Sequence, residues 1–169
     1  MSRDKITFGD NPIELIGEEI APGDKAPEFE AVNIDLSPFK SSQYDGKIRI
    51  YSVVPSVDTG VCALQTTKFN EEAANLSEDV VIITDSNDLP FAQERFCSNE
   101  GIDRALIVSD YQKHDFGMKY GFLIEGLALL SRGVVVVDRD NEVKYVEYVQ
   151  EVTDHPDYDK ALEAAKALV

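Results

Sequence analysis

Residues 133–149 read GVVVVDRDNEVKYVEYV, two apolar and β-branched runs held apart by four polar residues. Gly133 to Asp138 and Val143 to Val149 have the composition of strands, and Arg139, Asp140, Asn141 and Glu142 between them favour a turn. A parallel pair needs a crossover of a dozen or more residues, so a link this short forces the two runs antiparallel. The element order upstream of this hairpin then selects the architecture.

Ile48 to Val54 (IRIYSVV) is β-branched and aromatic, and Val80 to Thr84 (VVIIT) is almost continuously apolar, as strands covered on both faces tend to be. Between them Val61, Leu64, Phe69, Ala73 and Leu76 recur at helical spacing, making a strand, helix, strand unit with parallel strands and a right-handed crossover. A second helix is expected over Leu89 to Glu100, capped by Asp88, with Pro90 in its first turn and Gly101 past its end. A strand over Ala105 to Ser109 follows. The last helix, Asp157 to Leu168, sets Tyr158, Ala161, Leu162, Ala165 and Leu168 on one stripe. Alternating elements followed by an antiparallel pair and a helix describe an α/β, thioredoxin-like fold, a mixed central sheet flanked by helices. The hairpin weighs against the all-parallel, flavodoxin-like alternative. The N-terminal KITFGDNPIELIG reads as a further hairpin around Gly9, Asp10, Asn11 and Pro12.

A chain of 169 residues, 43% of them hydrophobic, suits a single domain spanning 1–169. Its 32 acidic residues against 16 basic ones give a net charge of -16, and there is no basic run to neutralise phosphates, so neither nucleic acid nor an anionic membrane is an expected partner. The N-terminus lacks the apolar core of a secretory signal, and no stretch approaches the roughly 18 apolar residues of a membrane span; a cytoplasmic protein is expected. In a reducing compartment two cysteines are seldom a permanent bridge. Cys62 and Cys97 are thus either inert buried thiols or a working redox pair.

The stretch PSVDTGVC, Pro55 to Cys62, bears on that choice. If a helix starts after Asp58, Thr59 is its N-cap, Gly60 its first residue and Cys62 its third, so the Thr59 hydroxyl can accept the Cys62 N–H. In a first turn, unsatisfied N–H groups and the positive dipole end favour a thiolate. The spacing leaves two readings open, a plain cap with an ordinary residue behind it or an activated thiol. Cys97 falls near the carboxyl end of its helix, where the dipole gives a thiolate no help. An activated and an ordinary thiol suit a nucleophile and a resolving partner. Their separation, 97 − 62 = 35 residues, excludes a Cys-x-x-Cys dithiol motif, and bonding two cysteines on separate helices implies backbone movement. Zinc bound by Cys62, Cys97, His114 and His155 is disfavoured, because no two of them stand at structural-zinc spacing. There is no Ser/His/Asp nucleophile motif, Gly-rich phosphate loop or dinucleotide fingerprint.

Pro55-x-x-x-Thr59-x-x-Cys62 resembles the peroxidatic motif of the peroxiredoxins. SVDTGVCALQTTKFNEEAANL, DLPFAQERFCSNEGI, SDYQKHDFGMKYGFLI and SRGVVVVDRD are similar to the thiol peroxidase branch, the atypical two-cysteine enzymes, over most of the chain. The resemblance implies that Cys62 is peroxidatic, Cys97 resolving, and Thr59, Pro55 and Arg132 supporting. From sequence alone, Arg132 reads as a solvated strand end. The resemblance further implies reduction of hydrogen peroxide and organic hydroperoxides through a sulfenic acid and an intrachain disulfide, thioredoxin as reductant, a homodimer, and no metal or other cofactor. The alternative of another class is a non-enzymatic redox sensor using the same disulfide. Residues Tyr111 to Leu130 form an insert that can cover the site, pair two chains or pack in the core.

Overall fold

The computed structural model describes residues 3–169. Among them the strands are β1 (Thr7–Phe8), β2 (Asn11–Pro12), β3 (Leu15–Ile16), β4 (Glu30–Asn33), β5 (Pro38–Lys40), β6 (Ile48–Val53), β7 (Val80–Ser86), β8 (Leu106–Ser109), β9 (Leu123–Ile124), β10 (Gly133–Val137) and β11 (Val143–Tyr148). The helices are α1 (Gly60–Ala73), α2 (Pro90–Glu100), α3 (Asp115–Tyr120) and α4 (Tyr158–Lys166).

The opening hairpin forms as expected. β10 and β11 pair antiparallel, with Gly133 opposite Tyr148 and a bulge between Val136 and Val137. β10 also lies antiparallel on β6, whereas β6, β7 and β8 run parallel, in a seven-stranded sheet of order β11-β10-β6-β7-β8-β4-β5. This is the mixed, thioredoxin-like sheet, and the all-parallel alternative fails at β10. The antiparallel register has a consequence for the site: Gly133 faces Val53, so the residue ahead of Gly133 arrives where the chain leaves β6 for Pro55. That residue is Arg132.

Gly133 allows this close approach. A Cβ there would stand 2.1 Å from the Glu147 carbonyl oxygen and 2.5 Å from the Phe122 ring. Overpacking of this kind typically costs about 1–3 kcal/mol. Gly133→Ala is therefore expected to lower the melting temperature by several degrees in a calorimetric scan, and an unchanged value would mean that the strand yields without strain.

One face of the sheet carries an aromatic core in which Phe29, Tyr51, Phe116, Tyr120, Phe122 and Tyr148 are buried. Phe116 and Tyr120 stack at 4.5 Å, and Phe122 meets Tyr148 at 4.5 Å. The 111–130 insert thus packs in the core through Phe116, Tyr120, Phe122 and Leu123, although Met118 is exposed. The other face is covered by α1 and α4, where Ile48, Ile50, Phe69, Val134, Val136 and Leu162 are buried together. On α4, Ala161, Leu162 and Ala165 face inward as the stripe predicts, and Asp157 caps the helix by accepting the Lys160 N–H.

Two local expectations need correcting. The N-terminal hairpin turns on Gly9 and Asp10 alone, both at positive φ, so Asn11 and Pro12 belong to β2. Positive φ at both turn positions is what a two-residue hairpin requires to follow the strand twist. The expected apolar stripe on α1 is only partly its buried face: Phe69 is in the core with Ala73 and Leu76 packed against it, and Leu64 is not. Cys62, Gln65, Thr66, Phe69 and Asn70 face inward, Leu64 is 59% exposed, and the helix ends at Ala73, before Leu76. Leu64 is two positions from Cys62, about 200° around the helix. The inward face carries polar residues with set partners: Gln65 meets Ser52 and Arg132, Thr66 bonds the Cys62 carbonyl, and Asn70 accepts the Arg104 and Ala105 N–H groups ahead of β8.

Candidate active site

Thr59 adopts an extended backbone, φ -91° and ψ 150°, and its Oγ1 accepts the Cys62 N–H at 3.2 Å. The cap expected from PSVDTGVC is present. Its own N–H donates to the Ser56 carbonyl at 3.3 Å, closing the turn, and Pro55 is buried at the start of that turn. Cys62 is fully buried, and its sulfur points under α1 toward β10.

Arg132 meets it there. The guanidinium donates from Nη2 to Cys62 Sγ at 3.2 Å, from Nη1 to Gln65 Oε1 at 2.9 Å and from Nε to the Val152 carbonyl at 2.6 Å. Gln65 is fixed in turn by donating from Nε2 to Ser52 Oγ at 2.9 Å. Arg132 is only 2% exposed. A desolvated cation with its donors aimed at set acceptors is costly unless those acceptors are held in place, and here one of them is sulfur. The solvated strand end that the sequence alone suggests is wrong, because β10 enters the sheet beside the end of β6.

A redoxin family model matches residues 21–162. The chain belongs to the redoxin family. The thiol peroxidase of Halalkalibacterium halodurans is 55% identical over 162 residues, 96% of this chain and 97% of that protein. The thiol peroxidase of Listeria monocytogenes serovar 1/2a is 50% identical over 162 residues, 96% and 98% of the two chains. A crystal structure of a peroxiredoxin-like protein from Aquifex aeolicus superposes with a TM-score of 0.93 at 38% identity, covering 100% of this chain and 99% of that one. Within the family this redoxin falls among the thiol peroxidases, and the motif resemblance is borne out.

The two cysteines of this redoxin are both free thiols in different surroundings. Cys97, on α2, packs on a small apolar cluster of Val57, Phe96 and Ile107 together with Ala63. Burial is the main influence on its thiol and pushes its pKa above the usual range, with Glu94 adding to the effect. Cys97 is therefore a thiol rather than a thiolate at neutral pH. The structure brings Cys62, Arg132 and Thr59 together but sets Cys97 in a separate cluster. A cleft of about 260 Å³ separates the start of α1 from α2, lined by Val57, Thr59, Gly60, Ala63, Phe96 and Asn99.

Three residues at the site are not placed there by the sequence reading, which gives Gln65 no role and gives Tyr158 and Asp88 other roles. Gln65 lies one turn beyond Cys62 on the same helix face, a spacing that was available to find it. Tyr158 stands beside the site, its half-buried hydroxyl 2.8 Å from His155 Nδ1. Burial pushes that phenol up to about 12, while Arg132 pulls it down and Cys62 raises it. Asp88 is the third. It does not cap α2, whose N-cap is Leu89, with φ -65° and ψ 147° and no side-chain cap bond. A residue ahead of proline is held extended, and Pro90 opens the helix, so the N-cap moves to Leu89. The Asp88 carboxylate instead accepts from Ser56 Oγ at 2.7 Å, Val57 N–H at 2.8 Å and Ser86 Oγ at 2.7 Å. Of the four residues weighed for zinc, Cys62 faces Arg132 and His155 faces Tyr158, and no group of three or more potential ligands gathers among the described residues.

Proposed function

We propose that this redoxin is a thioredoxin-dependent peroxidase in which Cys62 is the nucleophile toward hydrogen peroxide and organic hydroperoxides. The observation that carries the reading is the buried contact between Arg132 Nη2 and Cys62 Sγ at 3.2 Å. A fixed cation donating to sulfur suits a thiolate, and its two remaining N–H groups are available to hold a peroxide oxygen. The thiolate attacks one oxygen in line with the O–O bond. As that bond breaks, the other oxygen takes a proton from solvent and leaves as water or alcohol, and helix-start amides and Arg132 stabilise the charge that moves onto it. Cys62 becomes a sulfenic acid. The Cys97 thiol displaces its hydroxyl as water, giving a Cys62–Cys97 disulfide, and a thioredoxin dithiol restores both thiols by exchange as it is itself oxidised. Thr59 holds the Cys62 amide, and Pro55 closes the pocket without adding an N–H.

The names of the thiol peroxidase relatives support this reading. A homodimer is part of the proposal, supported by the exposed Leu64, Leu89, Phe91 and Leu127, each more than half exposed. No helix among the described residues is long and apolar enough to cross a membrane, and two free thiols suit the reducing cytoplasm.

The test is rapid-quench oxidation of the reduced protein with hydrogen peroxide and with cumene hydroperoxide, followed by mass analysis for a Cys62–Cys97 bridge. Cys97→Ser is expected to consume one equivalent of peroxide at close to the wild-type initial rate and then to stall with thioredoxin as reductant. Continued turnover at the wild-type rate would remove Cys97 from the cycle.

A further inference from the structure

A disulfide requires Cα atoms within about 7 Å and sulfurs bonded at about 2.05 Å. Here the Cys62 sulfur is pinned beneath α1 by Arg132, while Cys97 packs with Val57, Ala63 and Phe96. Bond formation therefore requires the Cys62 sulfur to leave Arg132, a release in which the turn that carries Cys62 takes part. Residues 55–58 lead into that turn. Among the hydrogen bonds of the described residues, the two that tie 55–58 to another part of the chain, from Ser56 Oγ and from Val57 N–H, both end on the Asp88 carboxylate. The remaining bonds of this stretch are local: Asp58 N–H to Ser56 Oγ, and Thr59 N–H and the Thr59 hydroxyl to the Ser56 carbonyl.

Asp88 itself is firmly seated. Its carboxylate accepts Ser86 Oγ, and its carbonyl accepts the Ser109 hydroxyl. Ser86 Oγ also accepts Gln93 Nε2 at 3.0 Å, and the same nitrogen donates to the Val108 carbonyl at 2.8 Å, fastening α2 to β8. One carboxylate thus joins the loop of one cysteine to the strand-to-helix turn that leads to the other.

We propose that Asp88 is a positioning residue that acts as a latch on the Cys62 turn, setting how long Cys62 stays in its Arg132-bound arrangement before it is released to Cys97. The latch favours the first chemical step, because Ser56 anchors the Thr59 cap. It delays the second step, in which Cys62 sulfenic acid and the Cys97 thiol condense with loss of water. While the sulfenic acid waits, a second peroxide can oxidise it to sulfinic acid, transferring an oxygen and leaving as water or alcohol. The latch therefore sets the partition between disulfide and over-oxidation. This rests on the reading of Cys62 and Cys97 as the redox pair.

The experiment compares wild type, Asp88→Ala, Asp88→Asn and Ser56→Ala as full-length reduced protein. Each is treated with excess hydrogen peroxide without reductant, quenched with an alkylating reagent and analysed by mass. For Asp88→Ala the rate of Cys62 oxidation is expected to fall about tenfold, the size of one lost charged hydrogen bond. The sulfinic fraction of Cys62 should fall at least about threefold relative to disulfide, by the same loss of the holding bond. Asp88→Asn should recover part of both, since its amide oxygen can still accept the Val57 N–H. Ser56→Ala, which removes one of the two bonds to the carboxylate along with the Asp58 N–H bond to Ser56 Oγ and leaves the carboxylate seated, should move both readouts the same way by less. A sulfinic fraction unchanged or raised in Asp88→Ala and Ser56→Ala would overturn the latch. A wild-type protein that forms no Cys62–Cys97 disulfide would instead overturn the pairing beneath it.

Discussion

Cys62→Ser is expected to abolish peroxide consumption, a loss of at least about a thousandfold with either hydrogen peroxide or cumene hydroperoxide. A serine hydroxyl titrates far above neutrality and cannot pass through a sulfenic state, so neither Arg132 nor the Thr59 cap can restore the nucleophile. The substitution should leave the fold intact. Ser Oγ can accept from Arg132 Nη2 as sulfur does, keeping the cation paired, and the backbone N–H held by Thr59 is unaffected. Melting temperature and activity are therefore expected to separate, with the first close to wild type and the second lost. Peroxide depletion followed with a dithiol reductant is the measurement, and residual turnover at the wild-type rate would move the chemistry to another residue. Cys97→Ser supplies the contrast, because it should still spend one equivalent.

The separation between legible and illegible features follows the range of the interactions involved. The five strands from β6 to β11 in the central sheet were legible because strand runs and connection length are local: five polar residues between Val137 and Val143 left β10 and β11 no route but an antiparallel one. The Thr59 cap was legible for the same reason, as it lies three residues from the amide it holds. The inward face of α1 was not. Its apolar residues gave a plausible stripe, but Gln65 and Thr66 face inward because of partners at Ser52, Arg132 and the Cys62 carbonyl, none of which is encoded in helix periodicity. Asp88 was misread because a carboxylate two residues before a helix proline has the composition of a cap, and only the approach of the 55–58 loop gives it other donors. Arg132 is 70 residues from Cys62 in sequence, and their meeting follows from the register of β10 on β6. The family resemblance identified it without that register, whereas residue type and local pattern pointed the other way.

Arg132→Lys is expected to slow Cys62 oxidation by about a hundredfold or more, although the charge is retained. The guanidinium serves three acceptors in three directions at once: Val152 O, Gln65 Oε1 and Cys62 Sγ. A lysine ammonium is a point donor on a flexible stem. To approach the sulfur it must leave Val152 O or Gln65 Oε1 without a partner, and a buried group left unsatisfied costs about 1–3 kcal/mol. Stability should therefore fall along with rate, and the two losses need separating. Gln65→Ala does so, because it removes one of the three acceptors while leaving Arg132 free to donate to sulfur. It should destabilise the protein comparably but slow Cys62 oxidation far less than Arg132→Lys. Second-order rate constants from competition with a second peroxide scavenger, set beside melting temperatures for both variants, make the comparison. Equal loss of rate in the two would reduce Arg132 to a packing residue. A large loss confined to Arg132→Lys would leave the contact with sulfur as its function, since only in that variant is the donor to Cys62 changed.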